Sequence, residues 1–158
     1  MRSQHPNFDL VSLNPPLVFG PVAHHLPSLN RLNTSNQRIL ALVQGAFQDK
    51  VLPPTGIFLW VDVRDVALAH IRAMETPAAG GERIMLVGGH FSNKTLADGI
   101  AETHPELAPK LPLNAVDDTP ANVYQYNGAK ALSVLGLEFR SLRNCVEDTV
   151  TSLLEASA

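Results

Sequence analysis

The run Ile57-Phe58-Leu59-Trp60-Val61-Asp62-Val63 constrains the fold more than any other stretch. It is apolar at nearly every position and reads as a strand. It runs into a helical segment from about Asp65 to Glu75, with Pro77 beyond its end. After the Gly80-Gly81 turn comes a further strand, "ERIMLVGG". Strand, helix and strand in succession point to an α/β fold.

The remaining segments extend this pattern. "NFDLVSLNPP" predicts a buried strand from Phe8 to Leu13, stopped by Pro15 and Pro16. Thr34-x-x-Gln37 has the spacing of a capping box, and Ile39, Leu42, Val43, Ala46 and Phe47 follow on one helical face. "SNKTLADGIAETHP" predicts a helix ended by Pro105, followed by a proline-rich loop. A short helix is expected from Gly128 to Leu135, stopped at Gly136, and a last one from near Ser141 with an apolar stripe of Leu142, Cys145, Val146, Val150, Leu153 and Leu154. Only three strands stand out, fewer than a doubly wound sheet needs to bury both faces. No G-x-G-x-x-G follows an N-terminal strand. The Gly80-Gly81 and Gly88-Gly89 pairs are turn glycines, because neither leads directly into a helix N-terminus that would hold a phosphate.

Composition excludes some functions. With 158 residues, 45% of them apolar, the chain is a globular unit with a real core. A net charge of -3 gives no basic footprint, so nucleic acid is not an expected partner. Charged residues make up only 17%, which leaves room for an apolar face that something else covers. No run reaches the roughly 18 apolar residues of a membrane span, so no membrane partner is expected. The start "MRSQHPNFDL" lacks the apolar core of a signal peptide, and the one cysteine, Cys145, allows no intrachain disulfide. The expected location is cytoplasmic.

Several side-chain groups invite a chemical reading. "YNGAK" places Tyr126 and Lys130 at the Tyr-x-x-x-Lys spacing that serves proton transfer when both residues lie on one helical face. Here Asn127 is a natural N-cap, which leaves Tyr126 before the helix and Lys130 inside it. The expected roles are a packed tyrosine and a solvated lysine. Asp62, Arg64 and Asp65 resemble a catalytic carboxylate pair, but at a strand-to-helix junction they are expected to cap the helix and pin the turn. Adjacent His24 and His25 would point to opposite faces of a strand, and His70 and His90 have no partner at ligand spacing, so no metal site is expected. Cys145 reads as a packed thiol, and Phe19, Phe47 and Trp60 as core or pocket wall.

Three runs carry a resemblance: "FDLVSLNPPLVFGP", "WVDVRDVALAHIRAME" with "GGERIML", and "KALSVLGLEFRSLRNCVEDTVTSLLE". Together they resemble the extended short-chain dehydrogenase/reductase family, in its dihydroflavonol-reductase, cinnamoyl-CoA-reductase and aldehyde (methylglyoxal) reductase branch. The resemblance runs from about Asn7 onward and covers the C-terminal half of such enzymes only. It implies one partial domain over residues 1–158: the C-terminal portion of a Rossmann-type doubly wound sheet plus the small substrate-binding α/β subdomain.

The family's glycine-rich loop, catalytic serine and catalytic Tyr/Lys pair would all precede Met1, so the resemblance implies no catalytic residue in this chain. It also implies a small carbonyl substrate and NADP, met only at its nicotinamide end. Pro15, Leu17 and Val18 match the family segment that passes the nicotinamide ring, and Ser28 matches a serine near the cofactor. The expected function is the substrate-binding half of a carbonyl oxidoreductase, incomplete by itself and partnered by the missing half. The alternative is a non-catalytic binding or regulatory half-domain that pairs with an intact homologue.

Overall fold

The computed structural model describes residues 8–156. Most of the N-terminal stretch on which the leader reading rests lies outside the described residues. Among the described residues there are five short strands and five α-helices. The strands are β1 (Ser12–Asn14), β2 (Leu17–Phe19), β3 (Leu59–Asp62), β4 (Arg83–Met85) and β5 (Gly89–His90). The helices are α1 (Thr34–Val43), α2 (Val63–Glu75), α3 (Asn93–Thr103), α4 (Ala129–Leu135) and α5 (Leu142–Glu155).

Two small sheets result. β1 and β4 pair in parallel, with Ser12 opposite Arg83. The other sheet has the order β2-β3-β5, with β2 parallel and β5 antiparallel to β3. All four residues of β3 are buried. Because neighbouring strand residues face opposite ways, Trp60 enters one core and Val61 the other. The first core lies among α1, α3 and α5, around Ile39, Leu96, Ile100 and Val150. The second lies among α2, α4 and β4, around Ala69, Ile84, Leu86 and Leu135. The continuous apolar run thus becomes the wall between two cores.

Boundaries depart from the sequence reading where tertiary partners decide. The expected strand Phe8 to Leu13 is shifted to Ser12–Asn14. Its neighbour β4 begins only at Arg83; ahead of it the Leu10 carbonyl accepts from the Gly81 amide at 2.8 Å, and the Phe8 and Leu10 side chains lie half exposed. "LVF", unassigned from the sequence, is β2. "ERIMLVGG" is not one strand: Arg83–Met85 serves one sheet and Gly89–His90 the other, with buried Leu86 and Val87 between. The Thr34/Gln37 capping box does not form. Asn33 is the N-cap of α1, and the Gln37 carboxamide donates to the Leu32 carbonyl at 3.1 Å. A reciprocal box forms instead at Ser92 and Thr95, at the start of α3. Helix α1 stops at Val43, ahead of Ala46 and Phe47, because Gly45 turns the chain with φ of 76°. Helix α2 begins at Val63, two residues ahead of the expected start.

Candidate functional site

Asn14 ends β1, and after it the chain changes sheets. Pro15 and Pro16 carry no amide hydrogen, so neither can donate to a ladder, and the strand partner switches from β4 to β3 across them. The carboxyl end of β2 leads into the loop from Gly20 to His25, and carboxyl ends are where open α/β sheets take ligands. Pro15 is exposed here, while Leu17 and Val18 are half-buried.

β2 is an edge strand, and side chains from the first turn of α1 cover its open edge. The Val18 amide donates to Ser35 Oγ at 3.3 Å, and Asn33 Nδ2 donates to the Val18 carbonyl at 3.2 Å. Two residues on, Asn36 Oδ1 accepts from the Gly20 amide at 3.3 Å, and its Nδ2 donates to the Gly20 carbonyl at 2.8 Å. Asn36 thus acts as a substitute strand residue, and it is buried. The Val22 amide is held by Ser152 Oγ of α5 at 3.0 Å.

Gly20 itself is required. Its φ is 140°, and a Cβ there would stand 2.5 Å from Val63 Cγ1. The close approach lets β2 run against the start of α2. A cleft of about 290 Å³ lies beside this junction, lined by Val18, Gly20, Val22, His24, Asn33 and Val63 among others. Ser28 is exposed outside that lining. It precedes a single 3₁₀ turn, Leu29–Arg31, without a side-chain capping bond.

Behind the cleft stands an ionic junction. Asp62 is fully buried at the end of β3 and caps α2, accepting from the Arg64 amide at 2.8 Å. The Arg64 guanidinium grips the same carboxylate through Nε at 2.9 Å and Nη2 at 2.7 Å, and reaches Asp148 of α5 with Nη1. Burial works against the Asp62 charge, but the hydrogen bonds from Arg64 outweigh it and hold this carboxyl below the usual range. Its bond to Asp62 raises the Arg64 pKa in turn. Burial first, then the charge of Asp62, pushes the Cys145 thiol well up. Asp65, also buried, accepts from the Arg140 amide at 2.9 Å and pairs with its guanidinium. Both aspartates therefore cap and pin rather than face the cleft.

The tyrosine and lysine of "YNGAK" have separate partners. Lys130 pairs with Glu82. Tyr126 lies before α4, with its ring centroid 5.5 Å from that of His90. Gly128 is the N-cap of α4, while Asn127 accepts from the Ala129 amide at 3.1 Å. His70 Nδ1 lies 2.7 Å from the Val66 carbonyl and His90 Nε2 3.0 Å from that of Tyr124, while His24 and His25 are exposed. Sequence reasoning passed over Ser35, Asn33 and Asn36. The signal was present in "LNTSN", a polar run at a helix start, but polar residues there are normally explained by capping alone.

Comparison with known proteins gives the site its context. No protein-family model matches the chain. It is 50% identical over 156 residues to "Ketoreductase azaE" of Aspergillus niger, covering 98% of this chain and 46% of that protein. It is 38% identical over 151 residues to "Cinnamoyl-CoA reductase CAD2" of Medicago truncatula, covering 94% of this chain and 42% of that one. Among solved structures, Gre2 of Candida albicans in complex with NADPH superposes with a TM-score of 0.82 at 33% identity, over 96% of this chain and 45% of that chain. The chain thus spans about half the length of the relatives it matches. Its fold is that of the C-terminal portion of Gre2-like reductases. Among the described residues no helix is long and apolar enough to cross a membrane.

Proposed function

From its homology with the C-terminal portion of Gre2-like reductases of the extended short-chain dehydrogenase/reductase family, we propose that this chain is the substrate-side portion of an NADPH-dependent carbonyl reductase, acting on an aldehyde or ketone. The observation that carries this reading is 50% identity to a ketoreductase, sustained over 98% of the chain.

In this reading the cleft beside β2 receives the nicotinamide end of NADPH against Val18, while Pro15 and Leu17 stand outside its lining, on the segment that leads into it. The chemistry fits. The bond from the Val18 amide to Ser35 Oγ, at 3.3 Å, is at the long end of the normal range. A carboxamide oxygen there can accept from the Val18 amide and from the Ser35 hydroxyl together. That fixes the ring face by orientation alone, a contribution of position rather than of acid or base. Ser35, which like Ser28 lies outside the cleft lining, joins Val18 as a cofactor-positioning residue only through its bond to the Val18 amide, and Ser28 stands as the competing serine. The bound cofactor supplies the hydride. The residues of this chain orient the ring and exclude water with Val18, Val22 and Val63. The phosphate cradle and the proton donor come from the partner portion of the enzyme, so this chain alone is catalytically incomplete.

The test is NADPH consumption with an aldehyde or ketone, by this chain alone and by this chain fused behind the N-terminal portion of a Gre2-like reductase. Turnover by the fusion alone is expected. In the fusion, Ser35→Ala should raise the KM for NADPH several-fold, while Ser28→Ala should leave it unchanged. The reverse pattern assigns the role to Ser28. A folded fusion with no turnover overturns the reading, and turnover by the chain alone overturns its incompleteness.

A further inference from the structure

A second cavity, of about 340 Å³, lies between α1 and the Pro53–Pro54 turn and shares no lining residue with the cleft beside β2. Its volume falls at the low end of small-molecule sites, roughly 300–1,000 Å³. Ala41, Leu42, Phe47, Leu52, Pro53 and Pro54 make its apolar walls. One charged side chain, Arg38, stands among the lining residues.

The surroundings of Arg38 hold it in place. Its Nη1 donates to the Thr55 carbonyl at 3.0 Å and to Asn93 Oδ1 at 3.2 Å. Both acceptors are themselves fixed. Thr55 is fully buried, and its amide and hydroxyl donate to the two oxygens of Asp118 at 2.7 and 2.6 Å. The same hydroxyl accepts from the Asn93 amide at 2.9 Å, and Asn93 Nδ2 donates to the Pro53 carbonyl at 2.9 Å. Both hydrogens of Nη1 are thereby used. Nε and Nη2 have no partner among the described residues. Those two nitrogens form the edge of a guanidinium that grips a carboxylate in two parallel hydrogen bonds.

No carboxylate lines the cavity, and Arg38 makes no ion pair among the described residues. A half-buried guanidinium with a fixed, open fork and apolar walls around it is complementary to an anion carrying a hydrocarbon body. One cation balances one negative charge. A phosphate dianion would leave excess charge in an apolar space. We propose that this cavity binds a small apolar monocarboxylic acid, with its carboxylate on Nε and Nη2 of Arg38 and its body against Phe47, Leu52 and the Pro53–Pro54 turn.

The probes are phenylacetate and its neutral counterpart phenylacetamide, which match in shape and differ in charge. Binding to the 158-residue chain is measured by calorimetry and by ligand-observed NMR. Phenylacetate should bind at least about tenfold more tightly than the amide, with affinity falling as salt rises. Arg38→Gln should remove that preference. Equal binding of acid and amide overturns the proposal, as does the absence of binding by either at millimolar concentration. Because Arg38 also supports Thr55 and Asn93, Arg38→Gln is accompanied by Ala41→Phe, which fills the cavity and leaves that network intact. Phenylacetate binding retained by folded Ala41→Phe would place the acid elsewhere and refute the site.

Discussion

The covering of β2 by α1 makes Asn36→Ala the most informative single change. Asn36 is 4% exposed and holds both backbone groups of Gly20, at 3.3 Å and 2.8 Å. Alanine leaves a buried donor and a buried acceptor without partners, at about 1–3 kcal/mol each. The longer bond belongs at the low end of that range, so the combined loss is about 2–4 kcal/mol. Alanine recovers roughly 0.5 kcal/mol through its better helix propensity. The net loss, about 1.5–3.5 kcal/mol, is a large part of the ~5–15 kcal/mol that holds a domain folded. In urea, with m of about 2 kcal/mol/M, the midpoint should fall by about 0.8–1.8 M at unchanged m. Asn36→Asp keeps the acceptor for the Gly20 amide but sets a carboxylate against the Gly20 carbonyl, so it should be no better than alanine. A midpoint shift below about 0.3 M would mean that water satisfies Gly20 as well as Asn36 does, and the account of α1 as a substitute strand would be wrong.

Two further outcomes follow from the ionic junction. The Asp62 carboxyl titrates below its ordinary value in the folded chain, so its stabilising contribution is full above the ordinary aspartate pKa and is lost as pH falls through the folded value. Asp62→Asn should therefore lower the melting temperature at neutral pH yet flatten its decline below about pH 4; parallel acid limbs for the two proteins would refute this. Cys145 is fully buried and its thiol pKa is pushed up, so the native chain should resist an aromatic disulfide reagent at neutral pH and react at its one thiol only in denaturant. Prompt reaction of the native chain would contradict the packed-thiol assignment.

What the sequence revealed and what it hid separate along a physical line. The run Ile57–Val63 announced a strand because its apolar character is local, whereas the burial of Leu59–Asp62 on both faces, with Trp60 and Val61 in opposite cores and Ile57 and Val63 partly exposed, is set by the fold. Asp62 and Asp65 together announced a helix start, and the cap proves to be Asp62, whose partner, the Arg64 amide, is two residues away. The cover of β2 was not legible, because Asn36 and Gly20 stand sixteen residues apart and neither residue type carries a mark of the other. The same holds for Thr55 and Asp118, which stand sixty-three residues apart and look like a loop threonine and a loop aspartate of ordinary turns. Ser28 drew attention over Ser35 for a related reason. Ser28 stood out through its match to a family serine near the cofactor, whereas a serine in the first turn of a helix is already explained by its local role. Only the fold shows that Ser35 turns its hydroxyl toward the Val18 amide rather than toward its own helix. The site is thus built from polar side chains whose local explanation was sufficient, and the long-range contact, once seen, is what makes each of them a candidate for function.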